Sequence, residues 1–93
     1  MGLFKNLAGK ALDLMTEDTV YSASQRDYDS SYELLLKASD NNYLDYVSAY
    51  VNLINKKKYP GGNFYRAIMD TINDRPSNIQ NKARQLLNSA KKK

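Results

Sequence analysis

Tyr43-Leu44-Asp45-Tyr46-Val47-Ser48-Ala49-Tyr50-Val51-Asn52-Leu53-Ile54-Asn55-Lys56-Lys57-Lys58-Tyr59-Pro60-Gly61-Gly62 is the stretch that decides the fold class. Tyr43, Val47, Tyr50, Val51 and Ile54 recur at steps of three and four, which lines one face of an α-helix and would scatter over both faces of a strand. Lys56-Lys57-Lys58 is expected in the last turn, where cations meet the negative end of the helix dipole. Tyr59-Pro60-Gly61-Gly62 then stops the helix. No segment elsewhere alternates apolar and polar residues as a half-buried strand would, so the chain is expected to be all-α.

Upstream, Asp40-Asn41-Asn42 predicts a turn and cap. The helix before it is expected to run to about Ser39, with Thr16 or Asp18 as its cap and Tyr21, Tyr28, Tyr32, Leu35 and Leu36 on one stripe. Its first turns, around Ser22-Ala23-Ser24, are poor in apolar residues, which predicts a break there and a restart near Asp27. Downstream, Asn63 is the expected cap of a helix whose inner face is Phe64, Tyr65, Ile68 and Ile72, ending before Asn73-Asp74-Arg75-Pro76. Ser77-Asn78-Ile79-Gln80 has the form of a capping box, followed by a helix with Ile79, Ala83, Leu86, Leu87 and Ala90 on a narrow stripe. Lys91-Lys92-Lys93 is a basic tail. Short connections predict antiparallel neighbours in a compact bundle of four or five helices, a single domain over residues 1–93. The helix pairs on either side of Pro60 could also be two hairpins of a tetratricopeptide-like array. The small residues of that repeat do not recur and no period is found, so the simple bundle is preferred.

The first helix, residues 1–15, is amphipathic. Leu3, Phe4, Leu7, Ala8, Ala11, Leu12, Leu14 and Met15 fill one half of its wheel; Gly2, Asn6, Gly9 and Asp13 fill the other. Lys5 and Lys10 fall at the borders, where long basic side chains lie along apolar surface and reach water. This layout resembles short amphibian-type membrane peptides that begin Gly-Leu-Phe, which implies a helix lying on a lipid surface through Leu3, Phe4, Leu7, Lys5 and Lys10. The competing expectation is burial against the bundle. A chain of 93 residues has a thin core, and each large apolar side chain it buries contributes about 1.5–3 kcal/mol.

Composition narrows the chemistry. With no His and no Cys, neither Ser-His-Asp nor Cys-His catalysis can be built, and zinc lacks its usual ligands. No phosphate-cradling glycine motif is present, and Gly61-Gly62 is read as a turn. Asp27-x-Asp29-x-Ser31-x-Glu33 has the odd-position spacing of a calcium loop, but Tyr32 stands where the sharp turn needs Gly and Ala38 where the bidentate Glu belongs. No catalytic residue, metal or cofactor is therefore expected, and the chain is taken as a non-enzyme. No apolar run is long enough to span a bilayer, and no secretory signal is evident; the expected compartment is the cytoplasm, with membrane association through residues 1–15 as the extension. Abundant Asn and Lys suggest a bacterial source of low GC content.

Charge divides along the chain. Residues 16–45 carry Glu17, Asp18, Asp27, Asp29, Glu33, Asp40 and Asp45 against Arg26 and Lys37, whereas the later half is basic. A nucleic-acid surface would draw on Arg66, Arg75, Lys82 and Arg84, though no recognition-helix pattern accompanies them. The eight tyrosines are expected to divide: Tyr28, Tyr32, Tyr43 and Tyr50 to the core, and Tyr46, Tyr59 and Tyr65 to positions where a partner could be met. In size, charge and helix order the chain is similar to the immunity proteins that protect Gram-positive bacteria from their own bacteriocins. That resemblance implies partner recognition by Arg66 to Lys93. The expectation is a small binding or regulatory protein acting through a protein or membrane surface. The alternatives are an immunity-like peripheral membrane protein, or a nucleic-acid binder using the basic half. A protein partner is expected ahead of membrane or nucleic acid.

Overall fold

A computed structural model describes residues 16–90. Among them the chain is an all-α bundle: α1 over residues 16–26, α2 over Tyr28–Lys37, α3 over Asp40–Asn55, α4 over Gly62–Ile72 and α5 over Ser77–Asn88.

The break between α1 and α2 falls on Asp27, not at Ser22-Ala23-Ser24. Asp27 is fully extended (φ −174°, ψ 174°), and its carboxylate accepts from the Ser30 amide at 2.7 Å. That bond holds the carboxyl below its ordinary pKa. The polar turn survives as helix because buried Ser24 is used elsewhere: its hydroxyl donates to the Pro60 carbonyl at 2.7 Å. Thr16 and Asp18 are already helical, so neither caps α1 within the described residues. One extended residue resets the helical phase, so the expected stripe is not continuous. Leu35 is buried, Tyr28 and Tyr32 are half-buried and stacked on each other, and Tyr21 and Leu36 are exposed.

The remaining caps also shift by a few residues. Ser39, not the Asp40-Asn41-Asn42 turn, caps α3, its hydroxyl accepting from the Asn42 amide. At the far end the Lys58 amide donates to Leu53 and the Lys57 amide to Ile54, both at 2.9 Å, with Lys57 at φ 64°. This is a Schellman closure with lysine in the left-handed position that glycine usually takes. The lysine tract thus lies past the last turn of α3, and Pro60-Gly61 shapes the link to α4. Gly61 (φ 100°) precedes α4 with no side-chain cap; Asn63 instead donates to the Ser24 carbonyl at 3.1 Å. The capping box at Ser77 does not form either. Pro76 occupies the cap position of α5, and Gln80 donates to the Arg75 carbonyl at 2.7 Å.

Contacts fix the directions. Asn63 meets Ser24, Arg66 lies over Tyr28, and Arg75 reaches Leu35, so α1 and α2 run parallel to α4. The Tyr43 hydroxyl bonds the Ile68 carbonyl and Thr71, while Tyr50 stacks on Phe64, so α3 runs antiparallel to α4. Burial raises the pKa of both tyrosines. Among α2 to α5, backbones approach most closely where α2 meets α4 and α3 meets α5. The α2–α3 and α4–α5 pairs therefore stack as two layers, each helix on its counterpart, because the rings of Tyr43, Tyr50 and Phe64 hold α3 and α4 apart. Leu35, Val47, Phe64, Ala67, Ile68, Ile72, Ile79 and Ala83 fill the space between the layers. Ala67 and Ala83, both fully buried, and Ala49, nearly so, are the small apolar residues of this core.

Candidate functional site

The N-terminal candidates Leu3, Phe4, Leu7, Lys5 and Lys10 lie outside the described residues, as do the terminal lysines. The basic candidates are described, and the fold does not assemble them into one face. Arg75 is held inside the molecule. Its guanidinium donates to the carbonyls of Leu35 (2.6 Å), Leu36 (3.3 Å) and Ala38 (2.7 Å), pairs with Asp40 at 3.1 Å and lies 4.4 Å from the centre of the Tyr43 ring. It closes the C-terminus of α2, which has no glycine of its own to do so. The terminal nitrogens of Arg75 thus have their partners within the molecule, which does not suit a solvent-facing phosphate contact. Arg66 lies over the Tyr28 ring on the α2 side of α4. Arg84 reaches Gln80 and Asn73 at 3.4 and 3.5 Å. Lys82 borders a small apolar hollow with Leu44, Gln85, Leu86 and Ser89 between α3 and α5.

Tyr28 is a second point of interest. Its hydroxyl donates to the Asp70 carboxylate, and its pKa is pushed up to about 12, first by that bond and then by burial and the Asp70 charge. Together with Tyr32 and Arg66 it ties α2 to α4. A neutral hydroxyl with a raised pKa is a poor base and nucleophile near neutral pH, so this cluster reads as a structural tie.

A concave surface runs along the other side of α2. Two adjoining hollows of about 430 and 420 Å³ share Arg26, Ser30 and Leu34, and together they are called the groove. Asp18, Thr19, Ser22 and Ala23 of α1 line one end; Glu33, Lys37, Ala38, Asn42 and Tyr46 of α2 and α3 line the other. Helical geometry puts Ser30, Glu33 and Lys37 about half a turn from Leu35 and Tyr28, on the side of α2 away from α4, with Leu34 about 100° from Leu35 at the border of that side. The Asp27 break makes the groove concave, because α1 and α2 cannot continue as one straight rod. Its floor is small or apolar (Ala23, Leu34, Ala38, Tyr46), and its rim alternates in sign, with Asp18, Arg26, and Glu33 paired to Lys37 at 3.5 Å. Of the residues read from the sequence as a partner or membrane surface, Tyr46 alone among those described lines it. The sequence signal for the rest was the weak apolar content around Ser22-Ala23-Ser24, which marks a surface-facing stretch of helix.

Among the described residues no His, Cys, Asp or Glu grouping could hold a metal ion, and no helix is long and apolar enough to cross a membrane. No protein-family model, curated protein or solved structure matches the chain.

Proposed function

We propose that this chain is a small non-enzymatic binding protein that acts through a protein surface, receiving an amphipathic helix of its partner in the groove across α1, α2 and α3. The carrying observation is the pair of adjoining hollows, which share Arg26, Ser30 and Leu34 and are lined by the apolar Ala23, Leu34 and Tyr46 with mixed charge around them. An apolar floor supplies affinity and rim charges set register and partner choice. The basic side chains that a nucleic-acid reading needs are dispersed or committed, which favours protein over phosphate backbone as the ligand.

The test places a photo-crosslinking amino acid at Leu34, inside the groove, and in a parallel sample at Asn81 on the exposed side of α5. A partner captured from host extract through Leu34 and not Asn81 is purified, and its affinity measured by calorimetry. Leu34→Glu is expected to weaken binding at least ~10-fold, about 1.4 kcal/mol, and Asn81→Glu to leave it unchanged. Equal capture from both positions, or equal affinity of both variants, would remove the groove from consideration.

A further inference from the structure

We propose that the turn after α3, residues 56–60, is a docking surface for an anionic lipid membrane, met by Lys57, Lys58 and Tyr59 with Tyr21 of α1 beside them. It shares no residue with the groove, and its occupant is of a different class from the helix proposed there.

The turn is anchored at both ends. Lys56 pairs with buried Glu17 at 2.8 Å, and the carbonyl of buried Pro60 accepts from Ser24 at 2.7 Å and from Gln25 at 2.8 Å. Between these anchors Lys57, Lys58 and Tyr59 are all exposed, Tyr59 by 52 %. Tyr21 lies on the stripe of α1 that carries Glu17, Ser24 and Gln25, so it falls beside the turn, and it too is exposed. Neither Lys57 nor Lys58 pairs with a carboxylate among the described residues, so both charges are on offer. Lys57 also holds φ 64°, the left-handed region that glycine enters at no steric cost. A lysine kept where glycine would sit more easily points to a role for its side chain. The residue types say which role. Lysine has an apolar stem and a charged tip, and tyrosine an apolar ring and a polar hydroxyl; both suit the boundary between headgroups and acyl chains. A nucleic-acid strand is tracked by a basic channel over several nucleotides, and the other basic side chains here are dispersed or committed. Two lysines and two rings at one end of α3 fit a flat sheet of phosphate headgroups.

Flotation of the full chain with phosphatidylglycerol vesicles, and in parallel with phosphatidylcholine vesicles, tests this. The expected result is binding to phosphatidylglycerol that weakens with added salt, and little binding to phosphatidylcholine. A lysine near an anionic surface contributes about 5-fold in affinity, so Lys57→Gly is expected to weaken binding about 5-fold, and Lys57→Gln with Lys58→Gln about 30-fold. Lys57→Gly relieves the left-handed backbone, so it should lose lipid affinity while gaining stability in urea, a pairing that misfolding cannot produce. Tyr59→Ser is expected to weaken binding as well. Lys82→Gln removes the same charge beside Leu44, near the other end of α3, and should leave binding unchanged. Failure of the parent protein to bind phosphatidylglycerol would overturn the proposal. So would equal binding by the parent and the double glutamine variant, which would place the lipid contact elsewhere in the chain. A loss in Lys82→Gln as large as that in Lys57→Gly would overturn it in favour of net charge alone. Binding of a single-stranded oligonucleotide that the double variant abolishes, with vesicle binding untouched, would overturn it in favour of nucleic acid.

Discussion

Replacing Arg75 by alanine removes the donor set that closes α2 and joins the two helix layers. Four hydrogen bonds are lost, three of them to main-chain carbonyls at the end of α2, and with them the stack over Tyr43. A hydrogen bond to a charged group contributes about 1.5–3 kcal/mol, and a partly desolvated cation–π contact about 1–2 kcal/mol. These gains do not add in full, because burying the guanidinium and fixing its side chain cost free energy in the parent protein. The Asp40 carboxylate is about half exposed (48 %), so its share is only about 0.5 kcal/mol. The net expectation is a loss of about 3–5 kcal/mol, set mainly by the three helix-end carbonyls left without their charged donor. Against a total of roughly 5–15 kcal/mol for a small domain, that is a large fraction. Arg75→Lys keeps the charge but not the planar fork, and is expected to recover about half of the loss. Urea denaturation followed by far-ultraviolet circular dichroism, with unchanged slopes across the series, measures this directly. A Tm reduction of at least ~12 °C should accompany the Arg75→Ala change. If Arg75→Ala stays within about 1 kcal/mol of the parent, or if Asp40→Asn costs as much as Arg75→Ala, the assignment of Arg75 as the closure of α2 is refuted.

Tyr28 should titrate late. Its folded pKa, about 12, lies above its unfolded value near 10, so the stability it contributes is fully present below pH ~10 and is lost as pH rises toward 12. Tyrosinate absorbance should show a late-ionising group that disappears in Tyr28→Phe, and an unchanged titration in that variant would contradict the Asp70 tie. Asp27 works in the opposite sense: its carboxyl is lowered, so its contribution is present above pH ~3.8 and fades as acid protonates it, which Asp27→Asn should blunt in acid unfolding. Ser39→Ala removes the hydroxyl that accepts from Asn42 and is expected to cost about 1 kcal/mol in urea denaturation; a cost near zero would mean α3 is capped otherwise. Lys57→Gly relieves a left-handed lysine and is expected to raise stability by about 0.5–1 kcal/mol, whereas Lys57→Val should lower it; the reverse order would argue against the φ of 64°.

The all-α class was legible in the spacing of Tyr43, Val47, Tyr50 and Val51, because a face that must be buried over four turns leaves a periodic trace. Helix ends were read less well, for one physical reason. A cap is chosen by backbone dihedrals and a single hydrogen bond, and several neighbouring polar residues can supply it. Ser39 competes with Asp40, and Lys57 takes a left-handed turn four residues before the Gly61 that seemed made for it. Arg75 was invisible as a core residue because its partners are main-chain carbonyls some forty positions earlier, which carry no side-chain signature. A hint was present all the same: Ala38-Ser39 follows α2 without a glycine, so the carbonyls at that end had to find donors from elsewhere. The groove depends on a kink at one residue, and periodicity could place that kink only within a few positions.

The layering of helix on counterpart also sets an order of events. The main partner of α2 is α4 and that of α3 is α5, so close contacts join residues more than thirty positions apart, not neighbours along the chain. Neither hairpin can exclude water from its apolar side until the other is present. During synthesis the α2–α3 half must wait, unprotected, for α4 and α5 to leave the ribosome. Loop closure over that distance comes before the stabilising contacts, which makes folding slower than in a bundle of local hairpins and close to all-or-none.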